Sequence, residues 1–105
     1  MAKVVRATTP TFIFQTANNV DLTLASEVHV TFDSYGVKLD KTGEDLDVEA
    51  KQVSVYLHQE DTLKFRPGMC EAMINWKYPD GNRGSSDPDY PIKFVVNKNL
   101  LDQVI

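Results

Sequence analysis

Between Gln52 and Trp76 the chain runs twice in strand rhythm, with a corner and not a tight turn in between. Val53, Val55 and Leu57 alternate with Ser54, Tyr56 and His58, the two-residue period of a half-buried strand. Cys70, Ala72, Ile74 and Trp76 repeat that period. The connector holds a polar corner, Gln59-Glu60-Asp61-Thr62, then an apolar crossing, Leu63-Lys64-Phe65, then a Pro67-Gly68 turn. It is too long for a two-residue hairpin. Connectors of this kind carry a chain from one sheet to the other in a Greek-key sandwich. The corner needs no chemistry to explain it: Glu60-Asp61-Thr62 can cap a single helical turn before Leu63.

Five more segments have strand character: Thr11–Gln15, 27–33, Val37–Lys41, 46–49 and 92–96. Phe12 and Phe14 share one face of the first, and Ile13 on the other face predicts partial cover there too. Turn chemistry separates several of them, with Tyr35-Gly36 after residue 34 and Asp80-Gly81 after Trp76. A break of two residues at Ala50-Lys51 predicts another antiparallel hairpin. The stretch 20–26 is open to three readings: a strand with Val20, Leu22 and Leu24 aligned, one short helical turn capped by Asp21 or Thr23, or the favoured one, a loop that drops Leu22 into the core. No segment carries a sustained helical stripe.

Seven strands at spacings of roughly 8–14 residues predict an all-β fold, an immunoglobulin-like antiparallel β-sandwich. A small β-barrel of SH3-like or OB type is the alternative; OB folds usually carry a helix between strands, and none is visible. At 105 residues the chain makes one domain, 1–105. Residues 1–10 read as a partly ordered N-terminal arm closed by Pro10, although Val4 and Val5 could extend a strand.

Composition removes several classes of function. The net charge is −4 and there is no Lys/Arg cluster, so neither a nucleic-acid footprint nor a polybasic membrane site is present. The single cysteine, Cys70, cannot form an intramolecular disulfide. The first eleven residues lack an apolar core of signal-peptide length, and no window is long and apolar enough to be a membrane helix. Synthesis in the cytoplasm is therefore expected.

No set of residues converges on a reaction. His29 and His58 fall at outward strand positions, and their spacing matches no local metal-ligand motif. Cys70 shares an apolar face with Ala72, Ile74 and Trp76, which predicts a buried and inert thiol. Asp80, Asp87 and Asp89 lack the bidentate Glu of a calcium loop. Asp40, Glu44, Asp45, Asp47 and Glu49 read as a charged solvent face that guards an edge. Neither a nucleophile elbow nor a phosphate loop occurs. The reading is non-enzymatic, with no cofactor and no metal. Binding would fall to outward aromatic and imidazole groups, for which Tyr56, His58, Tyr78 and Tyr90 are the candidates.

Three stretches carry a family resemblance: 8–14 (TTPTFIF), 53–65 (VSVYLHQEDTLKF) and 99–105 (NLLDQVI). Together they resemble a family of small proteins, about the length of this chain, encoded in phages and prophages of Gram-positive bacteria near virion-structure genes. More distantly, the strand order is similar to the N-terminal β-sandwich of phage baseplate upper proteins. The resemblance implies a phage-associated β protein with no known activity; with no site chemistry in the chain, the expectation is a protein made in the host cytoplasm and assembled into a virion, tail or baseplate. Its partners would be other phage structural proteins or further copies of itself. The competing reading is a carbohydrate- or ligand-binding sandwich that presents its tyrosines on one face.

Overall fold

A computed structural model describes residues 2–16, 20–86 and 92–101. Among these residues the chain is an all-β sandwich of two sheets. The strands are β1 (Ala2–Val5), β2 (Thr11–Gln15), β3 (Glu27–Ser34), β4 (Val37–Lys41), β5 (Leu46–Val48), β6 (Gln52–Tyr56), β7 (Gly68–Lys77), β8 (Arg83–Ser85) and β9 (Ile92–Asn97). One sheet has the order β1-β9-β7-β3-β4, with β8 added alongside the end of β7. The other is the three-stranded sheet β2-β6-β5. Every pairing is antiparallel except β1 with β9.

All seven expected strands are present, and the connections follow from local chemistry. The β3–β4 hairpin turns on Tyr35 (φ 50°) and Gly36 (φ 86°), and two adjacent positive φ values define the turn that suits a twisted hairpin. The Asp33 carboxylate fastens it, accepting from the Gly36 N–H at 2.8 Å. Ala50-Lys51 closes the β5–β6 hairpin, where the Glu49 N–H donates to the Gln52 carbonyl at 2.8 Å. Asp80-Gly81 closes β7–β8, with Gly81 at φ 93°. Between β6 and β7 the chain leaves the small sheet, makes one helical turn, α1 (Gln59–Leu63), and enters the large sheet. The crossing read from the sequence is therefore one of the links between the sheets. Asp21 caps a short 3-10 turn at Leu22–Leu24, which buries Leu22.

The core lies between the sheets. Val53 and Val55 of β6 and Leu57 beyond it face Val30 and Phe32 of β3, and Cys70, Ala72, Ile74 and Trp76 of β7. Five phenylalanines form its centre. Phe32 touches the rings of Phe12, Phe14, Phe65 and Phe94 at centroid distances of 5.7–6.4 Å. These come from both sheets and from the crossing, so aromatic packing joins all three.

Three expectations are corrected. Residues 2–10 do not form a loose arm: β1 pairs in parallel with β9, and the link to β2 is fixed to α1. There the Gln59 side chain donates to the Ala7 carbonyl at 3.0 Å and the Thr62 hydroxyl to the Thr8 carbonyl at 2.9 Å. Among the described residues the strands number nine and not seven, because β1 and β8 join the large sheet. No described element covers Ile13 on its side of β2, where it is 61% exposed.

Gly84 of β8 lies directly opposite Trp76 of β7, and the indole rests on its backbone. A Cβ at Gly84 would strike the ring at Nε1 and Cε2. Gly84→Ala is expected to cost about 1–3 kcal/mol, the usual penalty for forcing an atom into a filled site. Urea unfolding followed by tryptophan fluorescence measures it; an unchanged midpoint would mean the indole has room to move.

Burial pushes the Cys70 thiol up to about 12, and the nearby charge of Asp33 adds to the effect. The thiolate is the reactive form. A water-soluble thiol reagent at mildly alkaline pH is expected to label Cys70 only as fast as the protein unfolds. Rapid labelling of the native protein would contradict the buried placement.

Candidate functional site

The strand period sends one set of β2 and β6 side chains into the core and the other outward. On the outer face of the three-stranded sheet stand Thr11, Ile13 and Gln15 from β2, with Gln52, Ser54 and Tyr56 from β6. No described element packs over this face. Ile13 is opposite Ser54, and Tyr56 lies diagonally beside it, opposite Thr11. Ile13 and Tyr56 are 61% and 42% exposed, and form an apolar pair among short polar side chains.

His58 keeps the outward phase of Tyr56 and borders this face. Its Nε2 lies 3.0 Å from Asp45 Oδ1. Asp45 also contacts Lys41 Nζ at 3.2 Å, and Lys41 Nζ lies 2.6 Å from Asp61 Oδ2. Asp61 accepts from the His58 backbone N–H at 2.9 Å and so caps α1. Lys41 and Asp61 are buried, at 7% and 6% exposure. The four side chains join the end of β4 in the large sheet to the crossing that leaves the small one. The hydrogen bond with His58, and next that with Lys41, hold the Asp45 carboxyl below its usual value. Burial alone would lower the Lys41 amine, but the hydrogen bonds and charges of Asp61 and Asp45 outweigh it and raise the value.

These shifts fix a pH response. Asp45 titrates in the fold below its ordinary 3.8, and so does Asp33, held by the Gly36 N–H and then by Lys38. Their stabilisation is present above 3.8 and is lost as pH falls through the lower folded values. Lys41 titrates above 10.5, so its contribution is complete below that value and is lost as pH rises past the folded one. Melting temperature is expected to fall on the acid side of the first limit and on the alkaline side of the second. Asp45→Asn should make the acid limb shallower; an acid limb identical to that of the parent would count against the assignment.

The other histidine is on the large sheet. His29 Nδ1 lies 2.9 Å from Asp40 Oδ2, and its Nε2 lies 3.9 Å from Glu27 Oε2. The second Asp40 oxygen accepts from Thr31 Oγ1 at 3.1 Å. An open groove of about 380 Å³ runs beside it, lined also by Lys77 and Arg83. Both imidazole nitrogens face carboxylates, and among the described residues no hydroxyl or thiol is bonded to Nε2. His29 is on β3 of the large sheet and His58 caps α1 beyond β6, and among the described residues no group of His, Cys, Asp and Glu has the form of a metal site.

The sequence candidates are thus distributed unevenly. Tyr56 and His58 are together at one border of the small sheet. Tyr78 is half-buried and packs against the core, so it serves the fold and not an exposed aromatic surface. Tyr90 lies outside the described residues, as do Asp87 and Asp89. Tyr35 sits in the β3–β4 turn of the other sheet. A tyrosine platform for sugars does not assemble among the described residues. The acidic residues expected as a solvent face include two, Asp40 and Asp45, that are hydrogen-bonded to histidines.

Two features escaped sequence reading. One is exposed Ile13. The other is Lys41, whose signal was available: it follows Val37 and Leu39 in the two-residue period, so a charge was due to point between the sheets.

Among the described residues no helix is long and apolar enough to cross a membrane. No protein-family model matches the chain, and a search of curated proteins finds no match. Among solved structures the chain is similar to a "putative glycoside hydrolase" from Bacteroides vulgatus ATCC 8482, with a TM-score of 0.49 and 13% identity. That overlap takes in 97% of this chain, which spans 17% of the length of the other. A fold-level overlap of this size says nothing of chemistry.

Proposed function

We propose that the chain is a non-enzymatic interaction module of a phage-type particle, a small β-sandwich that docks into a virion, tail or baseplate. The observation that carries the reading is the outer face of the β2-β6-β5 sheet, which no described element covers, with Ile13 and Tyr56 exposed side by side. Isolated exposed apolar residues are ordinary, but a neighbouring pair on a bare sheet face is the form that docking surfaces take. The side chains that could do chemistry are committed elsewhere. His29, His58, Lys41, Asp45 and Asp61 form ion pairs and hydrogen bonds, and Cys70 is buried. Two of the stretches that carry the phage-family resemblance include β2 and the β6–α1 crossing, the segments that build and border this face.

Mass spectrometry of particles purified from the parent phage or induced prophage tests the proposal. The chain should be present at a fixed copy number relative to the major structural proteins. Its absence from intact particles, with abundant protein left in the lysate, would overturn the reading.

A further inference from the structure

The two sheets expose several free strand edges, and most are guarded. Unpaired edges invite other strands, and charges, prolines or shortness blunt them. β4 carries Lys38, Asp40 and Lys41. β5 has three residues, with Asp47 inside it and Asp45 and Glu49 on either side. β1 carries Lys3, and β8 is three residues long and opens on Arg83. β2 differs from these. It is five residues, Thr-Phe-Ile-Phe-Gln, the first four strong β-formers, with no charge.

The hydrogen-bond phase shows which groups of β2 are free. Thr16 N–H donates to the Lys51 carbonyl at 2.9 Å, and Leu57 N–H donates to the Pro10 carbonyl at 3.1 Å. With the β2–β6 register, these place Phe12 and Phe14 in the bonded pairs facing β6. Thr11, Ile13 and Gln15 therefore direct their N–H and C=O groups to the free edge. No described residue bonds to them there.

We propose that this edge is a self-association site and that its occupant is β2 of a second copy, paired antiparallel about Ile13. The segment is close to a palindrome, which a two-fold pairing requires. Ile13 meets Ile13 of the second copy. Thr11 meets Gln15, polar against polar on the outer face. Phe12 meets Phe14, so the half-buried Phe12 ring gains cover on the inner face. Six backbone bonds form, two at the Ile13 pair and two at each Thr11–Gln15 pair, as the alternation of an antiparallel ladder dictates. The result is a continuous six-stranded sheet, β5-β6-β2-β2-β6-β5. Charge favours this partner: the chain is net −4, yet the edge itself holds no charge to repel a copy. A five-residue edge is small beside a standard interface, so the pairing is weak and concentration-dependent.

The inference rests on the interaction-module reading and names a partner for the same sheet. It is tested on the purified full chain, so its failure is separate from absence of the protein from particles. Light scattering over a concentration series should show the molar mass rising from 11.8 kDa towards twice that value. Ile13→Lys places like charges directly opposite and should weaken association about tenfold or more, with the monomer's thermal melt retained. Amide hydrogen exchange needs no variant. At high concentration the Thr11, Ile13 and Gln15 amides should gain protection, and on dilution they should lose it, while Phe12 and Phe14 stay protected throughout. A chain that remains monomeric at the highest soluble concentration overturns the proposal. A dimer whose new protection falls on another edge, such as β4, does so equally.

Discussion

Phe32→Ala is expected to lower stability by about 3–5 kcal/mol, one of the two largest losses from a single substitution considered for this chain. The ring is completely buried. It is also the point where separate elements meet. Phe12 and Phe14 reach it from the small sheet, Phe94 from β9 and Phe65 from the crossing. Deleting it removes the transfer energy of one large apolar side chain and leaves a cavity whose walls belong to both sheets. Such walls collapse poorly, because each is held by its own ladder. Phe12→Ala is the internal comparison. Phe12 is half-buried on the edge strand, where water can fill what is lost, so its cost should be clearly smaller. Domains of this class are stable by only about 5–15 kcal/mol, so Phe32→Ala should fold marginally. Urea denaturation of the two variants decides it. If Phe12→Ala proves as costly as Phe32→Ala, the centre of the core is misplaced.

The alternating period made that core legible before any coordinates. Cys70, Ala72, Ile74 and Trp76 face inward as their spacing required, and so do Val53, Val55 and Leu57. Turn chemistry was legible for the same reason: Tyr35-Gly36 and Asp80-Gly81 bend the chain through local backbone preferences alone. What stayed hidden depends on partners far along the chain. The residues of β1 have no strand rhythm of their own and become a strand because β9 offers an edge in parallel. β8 contains Gly84 and gains its pairing from the hairpin that returns it to β7. Of the candidate surface, Tyr56 followed from phase. Ile13 did not, because a residue between two phenylalanines gives no sign of whether a second layer will cover it. Lys41 announced that a charge would point inward, but nothing local named Asp61 as its counterion. Tyr78 failed as a surface candidate because the turn after β7 folds it back against the core.

That counterion sets the second large effect. Lys41→Met is expected to cost about 3–5 kcal/mol, the usual loss when one member of a buried pair is removed and the other keeps its charge. Asp61 would retain the His58 backbone N–H but lose its 2.6 Å contact with the amine. The long apolar stem of methionine keeps most of the volume, so the loss reports on charge more than on packing. Replacing both partners, as Lys41→Met with Asp61→Leu, should restore much of the stability, since no buried charge is left. It should not restore all of it, because the leucine cannot cap α1, a loss of about 1 kcal/mol. Asp45→Asn should cost least of the three, as Asp45 is partly open to water and surface pairs contribute little. The expected order of stability is therefore parent, Asp45→Asn, the double variant, then Lys41→Met. Urea midpoints at neutral pH establish that order. A loss below about 1 kcal/mol for Lys41→Met would mean the pair is screened like a surface ion pair, and the link between β4 and the crossing would then rest on the apolar core alone.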